Sequence, residues 1–199
     1  MQTEKLPRAR VEKDEYSRSD AMKVMPLPPA EPLRSYALQL KDALSKEDKK
    51  AILAASKLLL NELADAHKVK RPTVKILSVR PQEVTDEWVY QTFGDYDTGT
   101  SVIRLWMRTA VQKKTSSYGT FLSTLVHEFC HHMDVVSLEF PNTFHTRGFF
   151  ERVAELYHHV QDTPVKEIVW QSHSDGTYAV NWASTMRNSR PIAQSNSRV

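Results

Sequence analysis

The stretch that decides the fold is FLSTLVHEFCHHMD, residues 121–134. Its leucine, valine, phenylalanine and methionine positions recur every three or four residues, which predicts an amphipathic helix from about residue 117 to residue 136. At about 100° per residue, His127 and His131 lie about 40° apart on one face and one turn apart along the axis. Both imidazoles can therefore reach one metal ion from a helix that buries its other side.

Glu128 completes the H-E-x-x-H spacing. It lies beside the histidine pair, where it can accept a proton from a water molecule on the shared metal rather than ligate the metal. A zinc-bound water, whose pKa is lowered towards ~7, is a usable nucleophile at neutral pH. Only roughly 0.02 chance occurrences of this spacing are expected for this composition and length. The motif therefore predicts a metal site; the competing interpretation is an exposed helix face without a function.

A catalytic zinc site has three protein ligands and one open position, and two residues can supply the third ligand. His145 lies immediately before Thr146, which resembles the N-cap of a further helix. Glu151 lies on that further helix. His145 would give a site of three histidines, and Glu151 would give a site of two histidines and one glutamate.

The rest of the chain shows helical and strand periodicities. Ser45 resembles the N-cap of an amphipathic helix that runs to about His67. Further elements are expected as strands at about 74–79, 88–96 and 101–107, a helix at about 147–160, and a hairpin of 165–171 with 177–182. This order predicts an α+β fold, in which a small mixed sheet packs against the metal helix.

Composition limits the class of protein. The 199 residues, 40% of them hydrophobic and 26% charged, suit one globular domain. Proline and charge before residue 36 predict a flexible arm over residues 1–35, followed by a folded domain over residues 36–186 and a flexible tail over residues 187–199. The single cysteine, Cys130, excludes an internal disulfide and a thiolate zinc cage.

Location and partners follow from the same composition. No apolar run approaches the ~18 residues of a membrane span, and the amino terminus has no apolar signal region. We therefore expect no membrane association and a cytoplasmic location. The net charge of +3 and the short, separated basic clusters give no support for a nucleic-acid partner, and the sequence carries no signal for an oligomeric state.

Three segments together resemble one family: GTSVIRL (residues 99–105), TLVHEFCHHMD (124–134) and FHTRGFF (144–150). They look like the SprT-like zinc metallopeptidase domain and its small zincin relatives, and the resemblance covers about residues 70–160. This chain departs from the family in two respects. Thr146 stands where the family often has glycine, and the carboxy-terminal four-cysteine zinc ribbon of some members is absent.

The resemblance implies a zincin-like fold and a bound Zn²⁺ ion. In that family the two motif histidines and a histidine ahead of the next helix hold zinc. The positions that match are His127, His131 and His145, with Glu128 as the general base. The implied activity is that of a hydrolase, a zinc-dependent metallopeptidase acting on a peptide or protein substrate.

Two alternatives to an ordinary metallopeptidase stay open. One is a catalytically silent zinc-binding module that captures a peptide or protein. The other is a protease that acts on nucleic-acid-bound proteins, as some SprT-like proteins do. Because zincins add an extended peptide to a sheet edge, residues 101–107 are the candidate edge, and the competing interpretation is an ordinary buried strand.

Four side chains near the motif have simpler interpretations. We expect Cys130 to be a buried, inert thiol and His132 to be a polar residue at the boundary of the core. Asp134 could orient an imidazole or be an exposed charge at the helix end. Arg147 could bind a substrate carboxylate or be a solvated residue of the first helical turn.

Overall fold

The computed structural model describes residues 1–79, 82–84, 89–91, 93–109 and 112–187. Helices and strands are mixed along the chain, which confirms the α+β organisation. The elements are α1 Arg10–Ala21, α2 Ala30–Ser45, α3 Lys49–Ala66, β1 Thr73–Val79, β2 Gln82–Val84, β3 Val89–Gln91, β4 Gly94–Asp97, β5 Val102–Arg108, α4 Tyr118–Val136, α5 Arg147–Gln161, β6 Trp170–Ser172, β7 Tyr178–Val180 and α6 Trp182–Thr185.

The chain divides into two compact units. The central unit is Pro26–Pro141, and the terminal unit consists of Met1–Met25 with Asn142–Val199. Each unit has its own buried side chains.

A three-stranded sheet in the order β1, β5, β4 lies in the central unit. β1 is parallel to β5, with Thr73 opposite Val102, and β4 is antiparallel to β5. Buried side chains alternate along β5, at Ile103, Leu105 and Met107, because successive side chains of a strand point to opposite faces. β2 and β3 form a separate antiparallel pair.

The position of β5 decides between the two interpretations of residues 101–107, a sheet edge that receives a peptide and an ordinary packed strand. β5 lies between β1 and β4 and pairs with both, so it is not an edge. The interpretation as an ordinary packed strand is confirmed. The strand expected at 88–96 is divided into β3 and β4, and its residues 88 and 92 lie outside the described part of the chain.

α4 is the predicted metal helix, and it has the predicted bounds. The Ser117 side chain accepts a hydrogen bond from the Thr120 amide at 3.3 Å, which is the usual contact of an N-cap residue. Leu122, Leu125 and Phe129 are fully buried where α4 packs on β4, β5 and α2. Each such side chain stabilises the fold by roughly 1.5–3 kcal/mol, so this apolar side holds α4 in place.

α3 confirms the amphipathic helix expected from Ser45 to about His67, but its first residue differs. Asp48 is the N-cap, and its side chain accepts hydrogen bonds from the amides of Lys50 and Ala51. Ser45, the expected N-cap, is instead the last residue of α2. An aspartate and a serine three residues apart are both good N-caps, and the end of α2 decides between them.

Residues 1–35 were expected to be a flexible arm, but they contain α1 and the start of α2. In the terminal unit, α1 packs against α5, and the Thr3 amide donates to the carbonyl of Tyr178 in β7 at 2.8 Å. The buried residues of α1 include Glu15 and Ser19, so its burial depends on polar contacts that apolar periodicity does not reveal. The expected hairpin is present as β6 and β7, and residues 188–199 of the expected tail lie outside the described residues.

α5 confirms the helix expected after residue 146. Thr146 is its N-cap and accepts a hydrogen bond from the Phe149 amide at 3.0 Å. The helix ends at Asp162, which adopts a left-handed conformation with φ of 56°, a common way for a helix to end. The segment that carries His145 therefore leads directly into a well-capped helix.

Candidate metal centre

His127 and His131 lie one turn apart on α4, on the same face, as the spacing predicts. Their Nε2 atoms are 3.1 Å apart, and their rings are nearly perpendicular, at 84°, with centroids 4.7 Å apart. His131 is buried and His127 half-buried. Two nitrogens that ligate one zinc ion at ~2.0–2.1 Å in a tetrahedral arrangement are about 3.3 Å apart. The pair therefore has nearly the separation that two zinc ligands require.

Glu128, the residue between them in the motif, is a buried carboxyl group with 5% exposure. Burial and, to a smaller extent, the negative charge of Asp95 raise the pKa of Glu128 to about 8, because both disfavour the charged form. Without a cation nearby, Glu128 is mainly protonated at pH 7. A cation beside it would favour the carboxylate, which is the form that a general base requires.

His145 lies in the segment that precedes α5, in the terminal unit. Its ring stacks on Phe150 with centroids 5.6 Å apart and meets the ring of Phe149 edge-on at 5.5 Å. Burial lowers the pKa of His145. Its imidazole is therefore neutral at pH 7, and the neutral form is the one that ligates metals.

The three predicted zinc ligands are all histidines, two of them in the central unit and one in the terminal unit. Histidine nitrogens ligate zinc and several other transition metals. The donor set therefore fits zinc, although their role as zinc ligands stays a prediction.

Glu151, the alternative third ligand, has other partners in the terminal unit. Its Oε1 atom accepts a hydrogen bond from Trp170 Nε1 at 3.2 Å and lies 3.2 Å from Lys23 Nζ. These contacts favour His145 over Glu151 as the third ligand.

His132, expected at the boundary of the core, is fully buried in the central unit. Its Nε2 atom lies 2.7 Å from the carbonyl oxygen of Lys70, and its Nδ1 atom lies 2.9 Å from the Tyr96 hydroxyl. A carbonyl only accepts, so Nε2 carries the proton and Nδ1 accepts from Tyr96. His132 thus links α4 to β4 through the hydrogen bond with Tyr96. The sequence held a signal for this, because His132 follows Phe129 by three residues and shares its apolar side.

The other three side chains near the motif have mixed outcomes. Cys130 is a buried free thiol, as expected. Asp134 is 2% exposed, so the interpretation as an exposed charge is wrong. Arg147 is neither a free cation for a substrate nor fully solvated, because it pairs with Asp20 and its guanidinium lies 4.2 Å from the centre of the Tyr178 ring.

Comparison with protein-family models, with curated proteins and with solved structures gives no match. Among the described residues, no helix combines the length and the apolar character that crossing a bilayer requires.

Proposed function

We propose that this protein is a zinc-dependent metallopeptidase with a zincin-like fold similar to that of SprT-like proteins. The observation that carries the proposal is the pair of His127 and His131 on one face of α4, with their Nε2 atoms 3.1 Å apart, next to the buried Glu128. His145 is the proposed third ligand. The proposal keeps the cytoplasmic location that the composition predicts.

The donor set of the chain suits a catalytic zinc ion rather than a structural one. Three histidines are a known ligand set of catalytic zinc, and they leave a fourth position for water or substrate. Structural zinc sites are instead closed by four protein ligands. Bound zinc supplies Lewis acidity, which lowers the pKa of a water molecule and polarises a peptide carbonyl.

Glu128 is the general base in this proposal. It follows His127 directly on α4, so the packing of α4 that places the histidine also places the carboxyl group. As a carboxylate it takes a proton from the attacking water, and as a carboxylic acid it returns that proton to the leaving nitrogen.

The extended substrate is proposed to pair with β4 instead of β5. β4 is an outer strand of the three-stranded sheet, and an outer strand can add a further strand through its backbone groups. It packs against α4, and a Cβ atom added at Gly94 would lie 2.5 Å from Thr124 Cγ2. A peptide on β4 would therefore lie beside the helix that carries Glu128.

The test combines zinc analysis with an assay on fluorescently labelled casein and a mixed peptide library. Wild type should bind one equivalent of zinc and cleave, and Glu128→Gln should keep the zinc but lose at least about 100-fold in rate, as expected when a general base is removed. Glu139→Gln, at an exposed glutamate after α4, is the matched control and should behave as wild type.

Two results would contradict the proposal. Full activity of Glu128→Gln would remove the proposed base. A wild-type protein that binds zinc and peptides but cleaves none of the library would favour the silent binding module.

A further inference from the structure

The segment before α5, which carries His145, is bound by side chains from the first 22 residues of the chain. Glu15, on α1, is 6% exposed. Its Oε1 atom accepts from the backbone amide of Asn142 at 2.7 Å, and its Oε2 atom accepts from the Asn142 side chain at 3.2 Å. The beginning of the segment is therefore held by a buried carboxylate.

The end of the same segment is held by a second carboxylate. Asp20 Oδ1 accepts from the backbone amide of Arg147 at 2.9 Å, and both carboxylate oxygens pair with the Arg147 guanidinium. One residue earlier, the Ser19 hydroxyl lies 3.0 Å from the Thr146 hydroxyl. Hydrogen bonds to a charged group are stronger than those between neutral groups, so these contacts hold the end of the segment firmly.

The centre of the segment is bound by Glu4. Its backbone amide donates to the carbonyl of His145 at 2.9 Å, and its side chain accepts from the amide of Phe144 at 3.1 Å. The backbone is thus held before, at and after the histidine. Connecting segments are usually the more mobile parts of a fold. This segment is instead held by hydrogen bonds to the first 22 residues of the chain.

Hydrogen bonds also hold α1 against α5, so the carboxylates that α1 carries have a fixed position. Arg152, with 1% exposure, donates to the carbonyls of Ser19 and Met22. These carbonyls lie at the end of α1, where a helix leaves carbonyl groups without internal partners. Gly148 permits the close approach, because a Cβ atom there would overlap the carbonyl oxygen of Ser19.

We infer that Glu15 and Asp20 are positioning residues for the metal centre: they hold His145 in place through the segment 142–147. The inference rests on the proposed function, in which His145 is the third zinc ligand. A ligand that is held in place before the metal arrives loses little conformational freedom on binding. Residues that orient metal ligands typically change metal affinity by about 10–100-fold when they are removed.

The first experiment measures amide hydrogen exchange in the metal-free protein and needs no zinc. In wild type, the amides of residues 142, 144 and 147 should be protected, since each donates to a carboxylate of the first 22 residues. Glu15→Ala should raise exchange at residue 142 by at least tenfold and leave the amides of α4 unchanged. Glu12→Ala, on the exposed side of α1, is the matched control and should leave residue 142 protected.

The second experiment measures zinc affinity by competition with a chromophoric chelator, together with the visible spectrum of the cobalt-substituted protein. Glu15→Ala and Asp20→Ala should each weaken zinc binding by about 10–100-fold and alter the cobalt spectrum. Glu15→Gln keeps an oxygen that can accept from the Asn142 amide. Its zinc affinity should therefore stay within about threefold of wild type, because that hydrogen bond is retained.

The two experiments distinguish a failure of the proposed function from a failure of the positioning role. A wild-type protein that binds no zinc would overturn the proposed function, and hydrogen exchange would still decide whether Glu15 holds the segment. Unprotected amides at 142, 144 and 147 in wild type would overturn the positioning role, even if Glu15→Ala does not fold. Wild-type zinc affinity and an unchanged cobalt spectrum in Glu15→Ala would overturn it as well.

Discussion

Replacement of Glu128 by glutamine should make the metal-free protein more stable at alkaline pH. Burial raises the pKa of Glu128 from 4.5 to about 8 in the folded state, whereas the unfolded chain keeps the ordinary value. Between these two pH values the folded state binds more protons than the unfolded state, so the free energy of unfolding falls as pH rises. At ~1.36 kcal/mol per pH unit, this loss is about 3 kcal/mol at pH 7 and more than about 4 kcal/mol at pH 8.5. Glutamine has nearly the same size and carries no charge, so the variant escapes the loss.

The assay is urea unfolding of wild type, Glu128→Gln and the control Glu139→Gln at pH 5, 7 and 8.5, with a chelator present. We expect wild type and Glu128→Gln to agree within about 1 kcal/mol at pH 5 and to diverge progressively above it. The control should follow wild type at all three values. If the free energy of unfolding of Glu128→Gln runs parallel to that of wild type across this range, Glu128 titrates normally and the burial argument is refuted.

Three further substitutions test how α4 and its neighbours are held, each by the free energy of unfolding in urea. Gly94→Ala should cost about 1–3 kcal/mol through overpacking against Thr124, and an unchanged stability would mean that β4 does not lie against α4. Tyr96→Phe should cost about 1–3 kcal/mol, because it removes the donor to the buried Nδ1 atom of His132; a loss below ~0.5 kcal/mol would argue against that hydrogen bond. Asp48→Ala should cost about 1 kcal/mol by removing the N-cap of α3; an unchanged free energy of unfolding would mean that the Asp48 side chain does not cap the helix.

The helix α4 could be predicted from the sequence because all of its determinants are local. The spacing of Leu122, Leu125 and Phe129 determines which side is buried, and the spacing of His127 and His131 places both histidines on another side. Neither depends on residues far away in the chain. The same local character explains why α5 and its N-cap Thr146 were predicted correctly.

The features that the sequence analysis missed depend on long-range pairing or on polar burial. The central place of β5 follows from its parallel pairing with β1, and alternation within β5 does not specify its neighbours. α1 is held by Glu15, Ser19 and Asp20 rather than by an apolar stripe, so its composition looked like that of an arm. The partners of His132, Tyr96 and the Lys70 carbonyl, lie 36 and 62 residues away in the chain.

A crystal structure of the zinc-loaded protein, with anomalous diffraction recorded at the zinc absorption edge, would test the proposed metal site most directly. We expect one zinc peak, about 2.0–2.1 Å from one ring nitrogen each of His127, His131 and His145. A protein that takes up no zinc would contradict the proposed site. A zinc ion held by Glu151 in place of His145 would contradict it equally.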